Sequence, residues 1–356
     1  MDRSYVGRVQ KINLENYFYK MVVVLGSDKE NEVKRLINAQ GPNAQRERTV
    51  EVLNANNEET NKTEFNGYLD LELINNLNYG ESLKLKYKSD GREQVQFNAN
   101  IYLPYILQSP LGISLDLNIF KRDSTFLTVD QAAKLVYPIT NKATVSAGYR
   151  SRTSTDLREV VSAGSSITDY TSQFITVNSN ILTSSPNTLF PIKYEIRTEA
   201  IIGRRKLTDS ETTQVGGTFD IQYSIPINQR NYLYARNIST VLVSEDYLTN
   251  ELQRIGGILS IRGFEENSID TSLSSVLQTE YRYVLSPNLY AHSVIDYGYF
   301  ENRVIDLKDQ LVSFGFGLGL LTNSGLLKVV FANGKSDGQS FKFANTKVHL
   351  SLTARF

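Results

Sequence analysis

Histidines, cysteines and paired carboxylates are the side chains to weigh first for chemistry, and here they are few. The 356-residue chain has no Cys, which removes disulfide scaffolds, thiolate catalysis and cysteine metal sites, and it has two His, His292 and His349. His292 and Asp296 fall on one face of an alternating segment, but four residues at about 3.3 Å each put them roughly 13 Å apart, beyond hydrogen-bonding reach. No Gly-x-Ser-x-Gly elbow, two-His zinc spacing or phosphate loop occurs. The expectation is a protein that is not an enzyme and that holds no cofactor or metal. Two short stretches remain to be explained. One is IGGILSIRGFEENSI (255–269), with Arg262 among glycines and apolar residues; the other is SVIDYG (293–298), with Asp296 in an apolar and aromatic run.

The elements that position these residues follow from pattern. With 40% hydrophobic and 21% charged residues, the chain has enough apolar material for a large fold, so disorder and collagen-like repetition are excluded. Its 38 basic and 38 acidic side chains cancel, and nucleic acid is not expected as a partner. A mean hydropathy of −0.30 resembles that of a water-soluble protein. A membrane barrel has the same look, because it shows lipid only alternate residues. No window approaches the roughly 20 apolar residues of a membrane helix.

Alternation, the period of a strand, dominates from about residue 63 onward. Leu83, Leu85 and Tyr87 oppose Lys84, Lys86 and Lys88; Ile113, Leu115, Leu117 and Ile119 oppose Ser114, Asp116 and Asn118; Phe219, Ile221, Tyr223 and Ile225 oppose Asp220, Gln222 and Ser224. Segments of about 10–14 residues with charge along one whole face fit a tilted wall between lipid and a polar lumen better than a soluble sandwich, whose strands average about 5–6. Tight Gly/Asn/Pro turns alternate with longer connectors near 152–169 and 245–271. Lumenal charges such as Glu195 and Glu199 are expected to balance one another, and Tyr281, Tyr283, Tyr297 and Tyr299 to anchor at the lipid interface. In the closing strand Val348, Leu350, Leu352, Ala354 and Phe356 share one face, and the chain stops on that aromatic.

The fold class is therefore all-β, a transmembrane antiparallel β-barrel of about 16 strands over 48–356, counting a weak first strand near 49–56. Residues 1–47 match no barrel strand, although 29–38 could form a short helix. They are expected to be an N-terminal extension or the remnant of a periplasmic region. The apolar run 21–25 is shorter than the roughly 7–15-residue core of a secretory signal, so an exported chain would be numbered here as a mature form, a truncated reading frame or a fragment.

Ile261, Arg262, Gly263 and Phe264 resemble the hallmark tetrapeptide of the BamA/TamA superfamily of outer-membrane assembly and translocation barrels, the bacterial surface antigen family. Five strands follow it, as that architecture requires. The resemblance covers about 63–356 and implies a long loop folded into the lumen with the tetrapeptide at its tip. SVIDYG resembles the family's aspartate-bearing lumenal motif, with Asp296 and Gly298 facing inward, and the family's pairing of loop arginine with barrel aspartate carries over as Arg262 with Asp296. An arginine inside a narrow barrel loses water and needs a carboxylate that can meet its forked donors. Ser313, Gly315, Gly317 and Gly319 form a small lumenal stripe on which a folded-back loop could approach the backbone. Leu350, Leu352 and terminal Phe356 resemble the C-terminal signal that such barrels present to their assembly machinery. Turns at 75–82 and 105–112 resemble those of Bacteroidota homologues.

Two departures accompany the resemblance. No POTRA domain, the βαβ module of full-length relatives, is legible before the barrel, and the last strand lacks the Gly that permits a kink at the lateral seam in some relatives. The function implied is insertion of outer-membrane proteins or polypeptide translocation, in the bacterial outer membrane. Its expected partners are outer-membrane lipids, unfolded or partly folded client polypeptides, and periplasmic or lipoprotein partners. The alternative is a passive, porin-like channel.

Overall fold

The computed structural model describes residues 67–75, 77–89, 94–159, 165–322, 325–338, 340–342 and 345–353. The expected extension at 1–47, the weak strand near 49–56 and Phe356 lie outside them. Fifteen strands form one antiparallel sheet in chain order. They are β1 (Gly67–Ile74), β2 (Ser82–Ser89), β3 (Val95–Leu103), β4 (Gly112–Arg122), β5 (Phe126–Thr140), β6 (Ala143–Asp156), β7 (Tyr170–Ser184), β8 (Ile192–Lys206), β9 (Glu211–Pro226) and β10 (Asn231–Val243), followed by β13 (Leu273–Ser286), β14 (Leu289–Asn302), β15 (Leu307–Thr322), β16 (Gly325–Ser336) and β17 (Lys347–Thr353). The short strands β11 (Gln253–Ile255) and β12 (Ile269–Thr271) pair as a separate hairpin within the connector from β10 to β13. Each strand of the sheet pairs with its predecessor in the sheet, β10 and β13 doing so across the long connector that carries β11 and β12.

The sheet curls into a barrel. The connector between β10 and β13 touches strands from both ends of the sheet: Glu266 meets Lys88 of β2 at 2.9 Å and Glu265 meets Lys347 of β17 at 2.9 Å. A flat sheet would hold those strands far apart. Strands β5 to β10 and β13 to β15 run 13 to 16 residues, at or just beyond the upper end of the range read from alternation, and so extend beyond a hydrocarbon layer that about 9–11 tilted residues cross.

Side-chain alternation divides outside from inside. On β15, Phe314 and Phe316 are 51% and 62% exposed on the outer face, whereas Leu311 and Ser313 are fully buried on the inner one. Ile175, Ile202, Ile295, Tyr281 and Tyr297 extend the outward apolar surface. A belt of this size is incompatible with water and marks the lipid-facing wall of a transmembrane barrel. Val348 and Leu350 of β17 face outward with it; the side chain of Leu352 lies outside the described residues.

The inner wall is more apolar than the polar lumen expected from sequence. Val276, Val294, Phe300, Leu311 and Val330 are buried on it beside His292 and Asp296. The reason is contact with protein in place of water, since the wall of β13 to β16 packs against the connector described below. Where water reaches the lumen, charges pair across strands: Arg150 bonds Asp130 at 2.7 Å and Glu199 at 3.1 Å, and Lys134 lies 2.8 Å from Asp116.

If Ile295 faces lipid, Ile295→Arg should cost about 2–4 kcal/mol of stability near mid-membrane, read from denaturant unfolding in lipid vesicles. No loss of stability would contradict the assignment of that face.

Candidate functional site

The connector from β10 to β13 is pinned at its stem before it enters the lumen. Arg205, fully buried on β8, donates to Glu251 at 2.8 Å, and Glu251 also accepts from Gln214 at 2.9 Å and from the Leu248 backbone at 2.9 Å. The β11–β12 hairpin follows. Asp270 accepts two bonds from Arg122 of β4 at 2.7 and 2.8 Å, and the Arg254 guanidinium stacks on Phe120 with 3.8 Å to the ring centroid. Burial, with Arg122 alongside, draws the Arg254 pKa down to about 10.

Residues 256–268 form the tip, and each member of the hallmark tetrapeptide has a separate contact. Ile261 is fully buried among Ile255, Val276, Phe300 and Leu311. It lies over Gly298, where an added Cβ would come within 3.0 Å of its Cδ1 atom, so the glycine of the aspartate motif makes room for the isoleucine of the loop. Gly263 has φ +84°, and a Cβ there would meet the Gly334 backbone nitrogen at 2.6 Å. Its own N–H donates to His349 Nε2 of β17 at 3.0 Å. The Phe264 ring occupies the space that a side chain at Gly334 would fill.

Arg262 is the centre of the site. Its Nε and Nη2 donate to the two oxygens of Asp296 at 2.9 and 2.5 Å, and its backbone N–H adds a third bond to Asp296 at 3.0 Å. Nη1 donates to Glu280, whose other oxygen accepts from Arg282 Nε at 2.6 Å. The four charged groups are nearly sealed from solvent and formally cancel, two guanidiniums against two carboxylates. Burial acts to lower the Arg262 pKa, but the hydrogen bonds to Asp296 and the charge of Glu280 outweigh it and raise it, so the guanidinium stays charged. Removing one partner from such a cluster leaves an uncompensated buried charge, at a cost of roughly 3–5 kcal/mol.

Two aspects differ from the sequence expectation. Of the small stripe, Ser313 lies against the loop at Gly263, but the room at Gly317 and Gly319 is taken by the rings of His292 and Tyr290 from β14. Near Gly315 the inner wall, at Val294, Val330 and Ala332, packs against Ile258 of the loop. The stripe thus serves mainly to accommodate large inward side chains of the adjacent strand. The second carboxylate, Glu280, belongs to no motif; its signal is the alternation of β13, which puts Gln278, Glu280 and Arg282 on the inner face. The site has the chemistry of an ionic lock, holding a loop in place.

No protein-family model matches the sequence, and no curated protein does. Solved structures do. BamA from Haemophilus ducreyi lacking POTRA domains 1–3 is similar with a TM-score of 0.55 and 15% identity, covering 85% of this chain and 74% of that one. The chain has the fold of the BamA and CdiB barrels. CdiB from Acinetobacter baumannii is similar with a TM-score of 0.55 and 16% identity over 80% of this chain, and CdiB from Escherichia coli with 0.53 and 16% over 85%. The chain spans 55% and 61% of the length of those CdiB structures.

Because Gly263 combines a left-handed backbone with contact to Gly334, Gly263→Ala should lift the tip at a cost of at least about 1–2 kcal/mol. Trypsin should then cut after Arg262 in the folded barrel. Resistance equal to that of the parent would contradict the close docking of Gly263.

Proposed function

We propose that this protein is a non-catalytic outer-membrane barrel that inserts β-barrel clients or moves polypeptide across the membrane, with the Arg262 loop holding it in its competent shape. The observation that carries the reading is the ionic lock itself. A loop from the long connector reaches into the lumen and is fixed at once to β13 and β14 through Glu280 and Asp296, to β17 through His349 and Lys347, and to β2 through Lys88. It therefore braces strands near both ends of the sheet, where a barrel of this fold would have its weak seam. Between such strands an exposed backbone edge can template an incoming strand by hydrogen bonding.

The BamA and CdiB fold supports the same reading. A passive channel would be served by an open, water-lined pore, whereas here the inner wall from β13 to β16 is covered by packed loop. Client polypeptides and outer-membrane lipids are the partners this function requires, and periplasmic or lipoprotein partners belong to the same proposal.

Arg262→Ala should leave a barrel that still shows the heat-dependent gel migration of folded outer-membrane proteins, yet lose most of its ability to speed folding of a urea-denatured test barrel into liposomes. Undiminished assembly by that variant would refute the role assigned to the loop.

A further inference from the structure

The connector between β7 and β8, residues 185–191, lies on the rim of the short turns but does not stay there. Leu189 and Phe190 are each only 3% exposed. Phe190 sits between Tyr232 of β10 and Tyr290 of β14, with ring centroids 4.7 and 4.9 Å away, and Val284, Leu321 and Leu326 complete the cluster. Those partners are inward residues at the short-turn ends of β10, β13, β14, β15 and β16. A connector rooted on β7 and β8 that touches them must run across the mouth of the lumen.

Its shape is built in. Asn187 accepts from the backbone N–H groups of Leu189 and Phe190 at 2.9 and 3.2 Å and donates to the Tyr232 hydroxyl at 2.7 Å, while Ser185 N–H closes the turn on the Pro191 carbonyl at 2.7 Å. Above the ring of Phe190 lies the Arg282 guanidinium, 4.9 Å from its centroid and 3.9 Å from that of Tyr234. Arg282 is held there by Glu280, the carboxylate that also binds Arg262. One acid and one guanidinium thus separate the loop that enters from one rim from the connector that enters from the other.

We propose that residues 185–191 are a plug closing the lumen at the short-turn rim, and that its seating is coupled to the Arg262 loop through Glu280 and Arg282. Arg282 is a positioning residue in this scheme. With Arg262 docked, Glu280 is fixed and Arg282 sits over Phe190; when Arg262 leaves, Glu280 can turn, Arg282 loses its anchor and the cation–π contact loosens. The two mouths of the barrel then open together. This inference stands apart from the assembly role, since a loop-to-plug relay would operate whatever the barrel carries.

The absence of native Cys makes single-cysteine labelling clean. Full-length protein carrying Leu189→Cys should react with a water-soluble maleimide at least about tenfold more slowly than protein carrying Gln229→Cys, an exposed position in the turn between β9 and β10. Adding Arg282→Met or Arg262→Met should bring the Leu189→Cys rate toward that reference, with the double variant no faster than Arg282→Met alone. Phe190→Ala, which leaves all the ion pairs intact, should also speed it while the loop stays resistant to trypsin. Equal parent rates at the two positions would overturn the plug. A rate that rises with Arg282→Met or Phe190→Ala but not with Arg262→Met would overturn the coupling.

Discussion

A guanidinium cannot be buried inside a barrel without acids arranged around it, and that requirement organises the rest of this molecule. Arg262 has its charge met by Asp296 and Glu280, but the arrangement works only if the loop backbone comes close enough for the Arg262 N–H to reach Asp296 as well. Close approach in turn demands Gly298 beneath Ile261 and Gly263 against Gly334. The apolar inner wall of β13 to β16 follows from the same docking, since the residues facing Ile261, Ile258 and Phe264 are shielded from water.

Energetically, the lock is better understood as enforcing one arrangement than as a large net source of stability. Desolvating four charged groups consumes much of their mutual attraction, so the assembled cluster contributes modestly while breaking it is costly. Such an element suits a two-position device: strongly favoured when complete, strongly disfavoured when one partner is removed. The surface pairs at the loop tip, Glu265 with Lys347 and Glu266 with Lys88, are part-exposed and individually weak. Their contribution lies in where they attach, near both ends of the sheet.

Much of the architecture was legible in the sequence because a lipid-facing wall imposes strict alternation. Residues such as Phe314 and Phe316 against Ser313 reveal their faces without coordinates. The Arg262 and Asp296 motifs could be placed because each sits in a short, distinctive run. Glu280 and Arg282 could not, because an inward charge on a barrel strand is ordinary and nothing local distinguishes one that meets a loop from one that meets water. The connector 185–191 was illegible for a different reason. Its Pro and Asn residues suit an ordinary turn, and only the distant Tyr232 and Tyr290 draw Leu189 and Phe190 inward. The glycines of β15 misled in detail, since Gly317 and Gly319 make room for neighbouring His292 and Tyr290.

The docked loop requires Arg262 and Asp296 to be energetically coupled inside the folded barrel. A double-mutant cycle with Arg262→Met, Asp296→Asn and the combination, measured by denaturant unfolding in lipid vesicles, tests this most directly. The expected coupling energy is about 2 kcal/mol or more. Effects of the two substitutions that simply add, within about 0.5 kcal/mol, would contradict it.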